Sequence, residues 1–391
     1  MVHLSDGVDS TDPMHLLDRT MSKYPTGECV NASAELGDVS AGIAVHGGPD
    51  AQGIALHDFS TNSNAAGPCP HALVAVQQAD PTRYPDPRYT VLRTQLAALH
   101  GVAPHRIVLA ASASEFIHRA TALAVQQGAR AVALPEHSYG DYAQAAQAQG
   151  LPMLRPAQAG WADAGLQWAC EPSSPLGMAD PALSAWRAAL HPPAHGRGLQ
   201  VVDCAYVPLQ LHQGVNEPCL TQSSRAFALP DTGANAWQLW TPNKALGLTG
   251  VRAAYAIAPL GAEAATAALN ALAPSWPVGA HGVAMLSTWA APASQRWLAD
   301  CLPVLRSWKA QQQALCAALG WVVVPGSLAN YFCAQWSPEE APHHGPTTVQ
   351  HLRRHGIKLR DCASFGLPGV VRLGVLPPAA QRALQHAWWQ R

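Results

Sequence analysis

The sequence predicts an α/β fold: a large domain with a mainly parallel sheet and helices on both faces, followed by a smaller α+β C-terminal domain. The chain has 391 residues, which is too long for one small core. Hydrophobic residues make up 48% and charged residues 13%, a composition typical of ordered globular proteins. From Arg106 onward, short apolar runs alternate with Ala-rich helical stretches, as crossover connections between parallel strands require.

The apolar pattern also predicts the individual elements. Strands are predicted at Ile107–Ala110, Ala131–Leu134, Gln167–Cys170, Gln200–Val202, Ala226–Leu229, Trp237–Trp240 and Val251–Ile257. Helices are predicted at Ser114–Gln127, Tyr139–Gln149 and, as one long stretch, Ala280–Leu319. The C-terminal part is predicted as strands 321–324 and 331–336, helix 347–355, strand 370–375 and helix 378–389. We expect an N-terminal arm (1–60), a large domain (61–285) and a small domain (286–391).

Composition and charge argue against several classes of protein. The net charge is −1, so no basic surface for nucleic acid or an anionic membrane is expected. The nine cysteines form no C-x-x-C pair, which predicts reduced thiols in a cytoplasmic protein rather than a disulfide framework or a metal site. The first residues lack the apolar core of a signal peptide, and no apolar run approaches the ~18 residues of a membrane span. We therefore expect a soluble protein whose partner is a small molecule.

The segment from Thr241 to Arg252 carries the strongest chemical signal. It follows a predicted strand and places Lys244 before a glycine-containing turn, with Arg252 eight positions further on. A lysine that forms a Schiff base needs a fixed, partly desolvated pocket, and a planar arginine can bind phosphate as a bidentate cation. The alternative is a surface lysine beside a turn.

Other polar segments also follow predicted strands, where ligands collect in such sheets. Asp203 ends a β-branched run, so we expect a buried carboxylate that needs a cationic partner, which a protonated pyridine nitrogen would supply. Ser112, Ala113 and Ser114 precede a helix, whose first N–H groups and dipole favour a phosphate. A turn aspartate and a plain N-cap are the respective alternatives.

Taken in order, these segments resemble the fold-type I pyridoxal-5′-phosphate (PLP) enzymes of the histidinol-phosphate aminotransferase group over residues 40–380. The resemblance implies the PLP-dependent transferase fold and three catalytic residues: Lys244 as the Schiff-base lysine, Asp203 on the pyridine nitrogen and Tyr206 on the cofactor O3′. It further implies cofactor contacts from Ser112, Ala113, Ser114, Tyr139, Ser174, Thr241, Asn243 and Arg252. Ser174 stands where the family has an asparagine that donates to O3′. The shorter hydroxyl weakens the control of the cofactor's electronics by one hydrogen bond, about 0.5–1.5 kcal/mol.

A further resemblance concerns the threonine-phosphate decarboxylases of cobalamin biosynthesis within that group. It rests on His46 before two glycines and on the segment Asp58–Asn64. The match implies that His46 and Arg360 hold a substrate phosphate and that Arg372 holds the carboxylate. Because a carboxylate needs only one guanidinium fork, a second arginine twelve residues away indicates a second anionic group.

Two alternatives concern these substrate residues, and one implication concerns assembly. A histidine before two glycines is more often solvated, and Arg360 could instead pair with a local acid such as Asp361 or Glu115. Tyr84 matches a tyrosine that reaches the cofactor phosphate of the neighbouring subunit, so the resemblance implies a homodimer.

The resemblance implies an enzyme that acts on an amino acid, and the leading interpretation is decarboxylation of a phosphorylated one. The cofactor stabilises the carbanion, and the protein selects which bond to Cα breaks. If the Cα–H bond breaks instead, the protein is a histidinol-phosphate-type or broader aminotransferase, which is the alternative. A non-catalytic PLP-binding regulator is the alternative from another class, although no helix-turn-helix segment or basic face accompanies the domain.

Overall fold

The structure is a computed structural model and describes residues 46–188, 198–211, 236–336 and 346–390. The helices are α1 (Pro70–Gln77), α2 (Thr90–His100), α3 (Ala113–Gln126), α4 (Gly140–Ala148), α5 (Pro181–Ala188), α6 (Glu263–Ala271), α7 (Ala280–Trp289), α8 (Pro292–Ala318), α9 (Pro346–Arg354) and α10 (Pro378–Trp389). The strands are β1 (His57–Asp58), β2 (Ile107–Ala110), β3 (Val132–Ala133), β4 (Met153–Leu154), β5 (Leu166–Cys170), β6 (Leu199–Asp203), β7 (Trp237–Trp240), β8 (Ala254–Ile257), β9 (Trp321–Val323), β10 (Tyr331–Trp336), β11 (Ile357–Lys358), β12 (Arg360–Asp361) and β13 (Val370–Gly374). None of these helices is long and apolar enough to cross a membrane.

A seven-stranded sheet organises the larger part of the molecule, in the order β2-β8-β7-β6-β5-β3-β4. All neighbours are parallel except β8, which runs antiparallel to both β2 and β7. This confirms the prediction of a mainly parallel sheet. The register pairs Cys170 with Asp203 and Asp203 with Leu239, so the carboxyl ends of β5, β6 and β7 meet at one edge.

Helices cover both faces of this sheet, as predicted. On one face, buried residues of α3, α4 and α6 pack against the strands, and Trp168 stacks on Tyr142 with ring centroids 4.6 Å apart. On the other face, α1, α2, α7 and α8 supply the core, which includes Trp240 and Trp289. Strands buried on both faces explain the continuous apolar runs in the sequence, because no side of such a strand meets water.

A second, antiparallel sheet has the order β12-β13-β10-β9. Its core holds Trp321 against Trp388 of α10, with centroids 4.9 Å apart. Strand β1, within the segment predicted as an arm, pairs in parallel with β11 and so joins the C-terminal part of the chain. The domain limits at residues 60 and 285 remain a prediction.

Several predicted elements differ from the structure. The single helical stretch Ala280–Leu319 is wrong: it is two helices, because Pro292 lacks an N–H and disfavours helical geometry in the residue before it. Strand β8 begins at Ala254 rather than at Val251. Helices α1, α2, α5 and α6 and the short strands β1, β4, β11 and β12 were not predicted. The eight residues of α1 show little periodicity, whereas Leu92 and Leu96 of α2 lie one turn apart and gave a usable signal. The predicted strand 226–229 lies outside the described residues.

The turn between β7 and β8 fixes the backbone of Lys244. The N–H of Gly247 donates to the carbonyl of Lys244 at 3.2 Å, and the N–H of Asn64 donates to the same carbonyl at 2.9 Å. Gly247 has φ +70°, and a Cβ there would lie 2.8 Å from the carbonyl oxygen of Gly67. Both the left-handed conformation and the close approach of two backbone segments therefore require glycine.

We predict that Gly247→Ala destabilises the protein, by about 1–3 kcal/mol from the left-handed conformation alone. The matched control is Gly250→Ala, in the same turn, where a Cβ meets nothing within 4 Å. Denaturant unfolding of both variants measures the difference. Equal midpoints for the two variants would contradict this account of the turn.

Candidate active site

A cavity of about 370 Å³ lies at the carboxyl ends of β5, β6 and β7. It brings together fourteen of the sequence-predicted residues: His46, Ser112, Ala113, Ser114, Tyr139, Ser174, Asp203, Tyr206, Thr241, Asn243, Lys244, Arg252, Arg360 and Arg372. These residues belong to, or lie beside, the seven-stranded and the four-stranded sheets, and His46 comes from the start of the described chain. The cavity is therefore assembled by the tertiary fold.

Asp203 is a buried carboxylate at the last position of β6, with 5% of its surface exposed. The hydroxyl of Tyr142 donates to its Oδ2 at 2.7 Å, and the N–H of Ala205 donates to its Oδ1 at 2.9 Å. Burial raises the pKa of Asp203 above its ordinary value, against the opposing effect of these hydrogen bonds and of Lys244. A cation bound in the cavity would favour the ionised carboxylate further.

Tyr142 is a contributor to which no role was assigned from the sequence. It is fully buried, and its stacking on Trp168 at an interplanar angle of 8° fixes the ring that points its hydroxyl at Asp203. Its spacing from Tyr139, three positions on one helical turn, was the available signal, since such residues share a helix face.

Lys244 is half-buried, and its Nζ lies 5.4 Å from the centroid of the Tyr206 ring. The hydroxyl of Tyr206 accepts a hydrogen bond from Asn62 Nδ2 at 3.2 Å. Tyr331 packs edge-on against the same ring, with centroids 4.8 Å apart. An amine and an oriented phenol thus share one wall of the cavity. Asn62 lies in a segment that the sequence singled out, but without a role of its own.

The N-terminus of α3 forms another wall. The Oγ of Ser112 accepts from the N–H of Glu115 at 3.1 Å, so Ser112 is the N-cap. The carboxylate of Glu115 is 2.9 Å from Nε of Arg119. Glu115 therefore pairs with Arg119, and not with Arg360 as one of the alternatives from the sequence proposed. Ser114 and Ala113, in the first turn, line the cavity. The N-cap and a phosphate-binding terminus are compatible, because the cap uses only one of the first N–H groups.

The turn after β7 contributes polar groups beside this helix terminus. The hydroxyl of Thr241 donates to Oδ1 of Asn243 at 3.0 Å. Arg252 lines the cavity while remaining exposed overall, and Tyr139 contacts Ser114 with their hydroxyl oxygens 3.5 Å apart. These groups provide hydroxyl and guanidinium donors where the dipole of α3 favours an anion.

Arg360 and Arg372 lie directly opposite each other on β12 and β13. Both are buried, and burial together with the charge of Arg372 lowers the pKa of Arg360. Like charges in this cross-strand position are unfavourable without an anion. The pair therefore presents a site for anionic groups at this end of the cavity.

The two guanidinium groups have different partners. Arg372 donates to the Oγ of Ser174 at 3.2 Å and to the carbonyl of Ser60 at 3.1 Å, while its buried Nε has no hydrogen-bond partner in the described part of the chain. Arg360 donates to the Oγ of Ser364 at 2.8 Å and to the backbone carbonyl of Asp361. Ser174, expected near the cofactor O3′, is thus also engaged by Arg372.

His46 lies at the edge of the cavity, with its side chain 46% exposed. Its Nε2 is 3.5 Å from Oδ1 of Asp141, and its ring centroid is 5.6 Å from that of Tyr139. Asp141 itself is buried and was not assigned a role from the sequence. An imidazole N–H at this edge of the cavity can donate a hydrogen bond to an anion.

Tyr84 is the predicted site residue that does not line this cavity. It is 78% exposed and stacks on Trp276, with ring centroids 4.3 Å apart. Phe365 is the opposite case: it lines the cavity but had no predicted role. The available signal was its place just before the Gly-Leu-Pro-Gly turn that separates the two arginines.

The donor set fits PLP. The half-buried amine of Lys244 suits the aldehyde, and the buried carboxylate of Asp203, which has two neutral donors, suits a protonated pyridine nitrogen. The N-terminus of α3 together with Arg252 suits the phosphate. Opposite charge requirements are thereby met at the two ends of one small molecule.

Comparisons with known proteins agree with this assignment. The sequence profile of the family described as "Aminotransferase class I and II" matches residues 55–387. A histidinol-phosphate aminotransferase from Jannaschia sp. is 27% identical over 336 residues, covering 82% of this chain and 87% of that protein.

Two solved structures show the same fold. Histidinol-phosphate aminotransferase from Sinorhizobium meliloti, in complex with pyridoxal-5′-phosphate, has a TM-score of 0.68 at 21% identity, covering 92% of this chain and 97% of that one. L-threonine-O-3-phosphate decarboxylase from Porphyromonas gingivalis has a TM-score of 0.63 at 20% identity, covering 84% of this chain and 97% of that one.

The extent of the family match sets aside a non-catalytic regulator, because the family and its relatives are enzymes. The fold, the donor set and the matched residues lead to one assignment. The chain belongs to the aminotransferase class I and II family of PLP-dependent enzymes.

Proposed function

We propose that this protein is a PLP-dependent decarboxylase of an amino acid that carries a second anionic group, a phosphate, of the type of L-threonine O-3-phosphate. The observation that carries the proposal is the opposed pair Arg360 and Arg372 in the same cavity as Lys244 and Asp203. One guanidinium fork suffices for an α-carboxylate, so the second one calls for a second anion.

The proposed roles of the cofactor-binding residues follow from their contacts. When bound, PLP withdraws electrons from the bonds at the substrate Cα. Lys244 would hold the cofactor covalently and, once displaced by the substrate amine, would be the base or acid nearest to Cα. Asp203 would keep the pyridine nitrogen protonated, supported by the hydrogen bond from Tyr142. Tyr206 would donate to O3′, with its hydroxyl held by Asn62.

The proposed roles of the two arginines differ because their surroundings differ. Arg372 is held by Ser174 and Ser60, and its remaining buried Nε–H favours a planar acceptor such as a carboxylate. Arg360 would bind the phosphate together with His46, which lies at the exposed edge of the cavity. A substrate held at both ends has little rotational freedom, so the arginines would decide which bond to Cα is aligned for cleavage.

A second candidate is transamination by a histidinol-phosphate-type or broader aminotransferase. It is favoured by the curated relative from Jannaschia sp., which is named a histidinol-phosphate aminotransferase. The two reactions give different products from the same phosphoamino acid. Decarboxylation releases CO₂ and leaves a phosphorylated amine, whereas transamination leaves a keto acid and needs a second keto acid as amino acceptor.

We also propose a homodimer in which Tyr84 reaches the cofactor phosphate of the partner subunit. The stacking on Trp276 keeps the Tyr84 ring on the surface, and Trp276 Nε1 is itself held by the carbonyl of Pro85 at 3.0 Å. Arg252, on the proposed phosphate side of the cavity, is exposed in the single chain. A partner subunit would cover this side.

We predict that Arg360→Ala selectively weakens turnover of phosphorylated substrates, by about 1.5–3 kcal/mol in kcat/KM for a lost charged hydrogen bond. His46→Ala should act in the same direction, whereas Arg372→Ala should impair every amino-acid substrate. Kinetics with O-phospho-L-threonine and L-threonine, combined with mass spectrometry of the products, measure both specificity and reaction.

The control is Arg353→Ala, which removes an arginine that pairs with Asp50 and does not line the cavity. It should leave both substrates unaffected. Equal losses on both substrates in Arg360→Ala would reject the phosphate site. A keto-acid product in place of CO₂ and a phosphorylated amine would assign the protein to the second candidate.

The dimer is tested by mixing two inactive variants. If Tyr84→Ala and Lys244→Ala are both inactive, random exchange should give half heterodimers with one intact site each, and thus about a quarter of the wild-type activity. Mixing Tyr84→Ala with the double variant Tyr84→Ala/Lys244→Ala is the control and should recover nothing. Full activity of Tyr84→Ala alone would overturn the shared site.

A further inference from the structure

We propose that Phe365 is a specificity-determining residue of the anion site and that His137 positions it. The inference rests on the proposed function and extends it to residues outside the motifs that the sequence singled out. It concerns how the protein favours a compact anionic side chain over an apolar one.

Phe365 contacts both arginines of the anion site. It ends the 3-10 turn Ala363–Phe365 between β12 and β13 and lines the cavity. Its ring centroid lies 4.7 Å from Cζ of Arg360 and 5.7 Å from Cζ of Arg372. An aromatic face near a guanidinium stabilises the cation and displaces water from it. An anion that binds there therefore meets less screened charges than it would on an open surface.

His137, which is distant in sequence, holds this turn through a hydrogen bond. It follows β3 of the seven-stranded sheet, and its Nδ1 is 2.7 Å from the carbonyl oxygen of Phe365, 228 positions away. Because a carbonyl only accepts, Nδ1 must carry the hydrogen in this contact. Gly366, the next residue, has φ +78°, and a Cβ there would lie 3.7 Å from the same Nδ1. The position of the Phe365 ring thus depends on a tertiary hydrogen bond.

A second cavity explains why the position of this turn matters. It has a volume of about 500 Å³, and its lining includes His137, Trp161, Leu176 and Met178. Ser174 lines both cavities, so they are neighbours. The contact between Phe365, which lines the first, and His137, which lines the second, lies at their boundary. It would close the anion site against side chains that the apolar cavity could accommodate.

The experiment is a double-mutant cycle on the cofactor-loaded enzyme. The ligand is 3-phosphonopropionate, which has a carboxylate and a phosphonate but no amine and so cannot react; calorimetry gives its Kd. Phe365→Leu keeps apolar bulk without the ring and should raise Kd about tenfold, and His137→Gln should raise it about fivefold. The double variant should stay near tenfold, because His137 acts through Phe365, instead of the roughly fiftyfold of independent effects.

His137→Asn is the conservative control. Its amide nitrogen can occupy the place of Nδ1 and donate to the Phe365 carbonyl, so Kd should remain within about twofold of wild type. The longer side chain of glutamine cannot place its amide there. In turnover, Phe365→Leu and His137→Gln should raise KM for O-phospho-L-threonine with little change in kcat, and should raise kcat/KM for L-leucine relative to wild type.

The outcomes separate this inference from the proposed function. If the wild-type enzyme binds 3-phosphonopropionate no more tightly than butanoate, which lacks the second anion, the proposed function fails and the inference with it. If the wild type prefers the phosphonate but the two variants leave Kd unchanged, add independently, or are matched by His137→Asn, the inference alone is overturned.

Discussion

The buried carboxylate of Asp203 is the constraint on which the site depends. A carboxylate with 5% exposure at the end of a central strand is unfavourable unless donors or a cation compensate it. The fold supplies two neutral donors, from Tyr142 and the backbone of Ala205, and the stacking of Trp168 fixes the former. Because these two donors offset the buried charge only in part, a cation would stabilise it further. The protonated pyridine nitrogen of the cofactor would supply that cation. The large sheet thus supplies a buried negative charge that a cationic ring would complement.

The other end of the cavity carries charge of the opposite sign. Arg360 and Arg372 face each other across β12 and β13, and both are buried. A bound anion would stabilise a buried pair of positive charges, which otherwise repel each other. One cavity therefore carries a negative site supplied by the seven-stranded sheet and a positive site supplied by the four-stranded sheet. The protonated ring of the cofactor would meet the negative site, and the anionic groups of the proposed substrate would meet the positive one.

The sequence predicted those parts of the fold and of the cavity that short motifs encode. Lys244 and Arg252 belong to one turn, and Asp203 ends one strand, so local spacing located them. Pairs such as His137 and Phe365, 228 positions apart, leave no local signal, because only the packing of two sheets brings them together. The same holds for Asn62 against Tyr206. The break before Pro292 was visible locally, but the surrounding helical pattern outweighed it.

The most direct test of the account is chemical identification of the lysine that binds PLP. Borohydride reduction of the cofactor-loaded protein makes a cofactor–lysine bond permanent, and peptide mapping then locates it. We expect the label on Lys244, the lysine in the cavity with Asp203. Lys309 is the informative competitor, since it is buried and its pKa is lowered to about 8 by burial, although its amine donates to the carbonyls of Ser327 and Ala329. A label on Lys309 or on Lys358 would contradict the account.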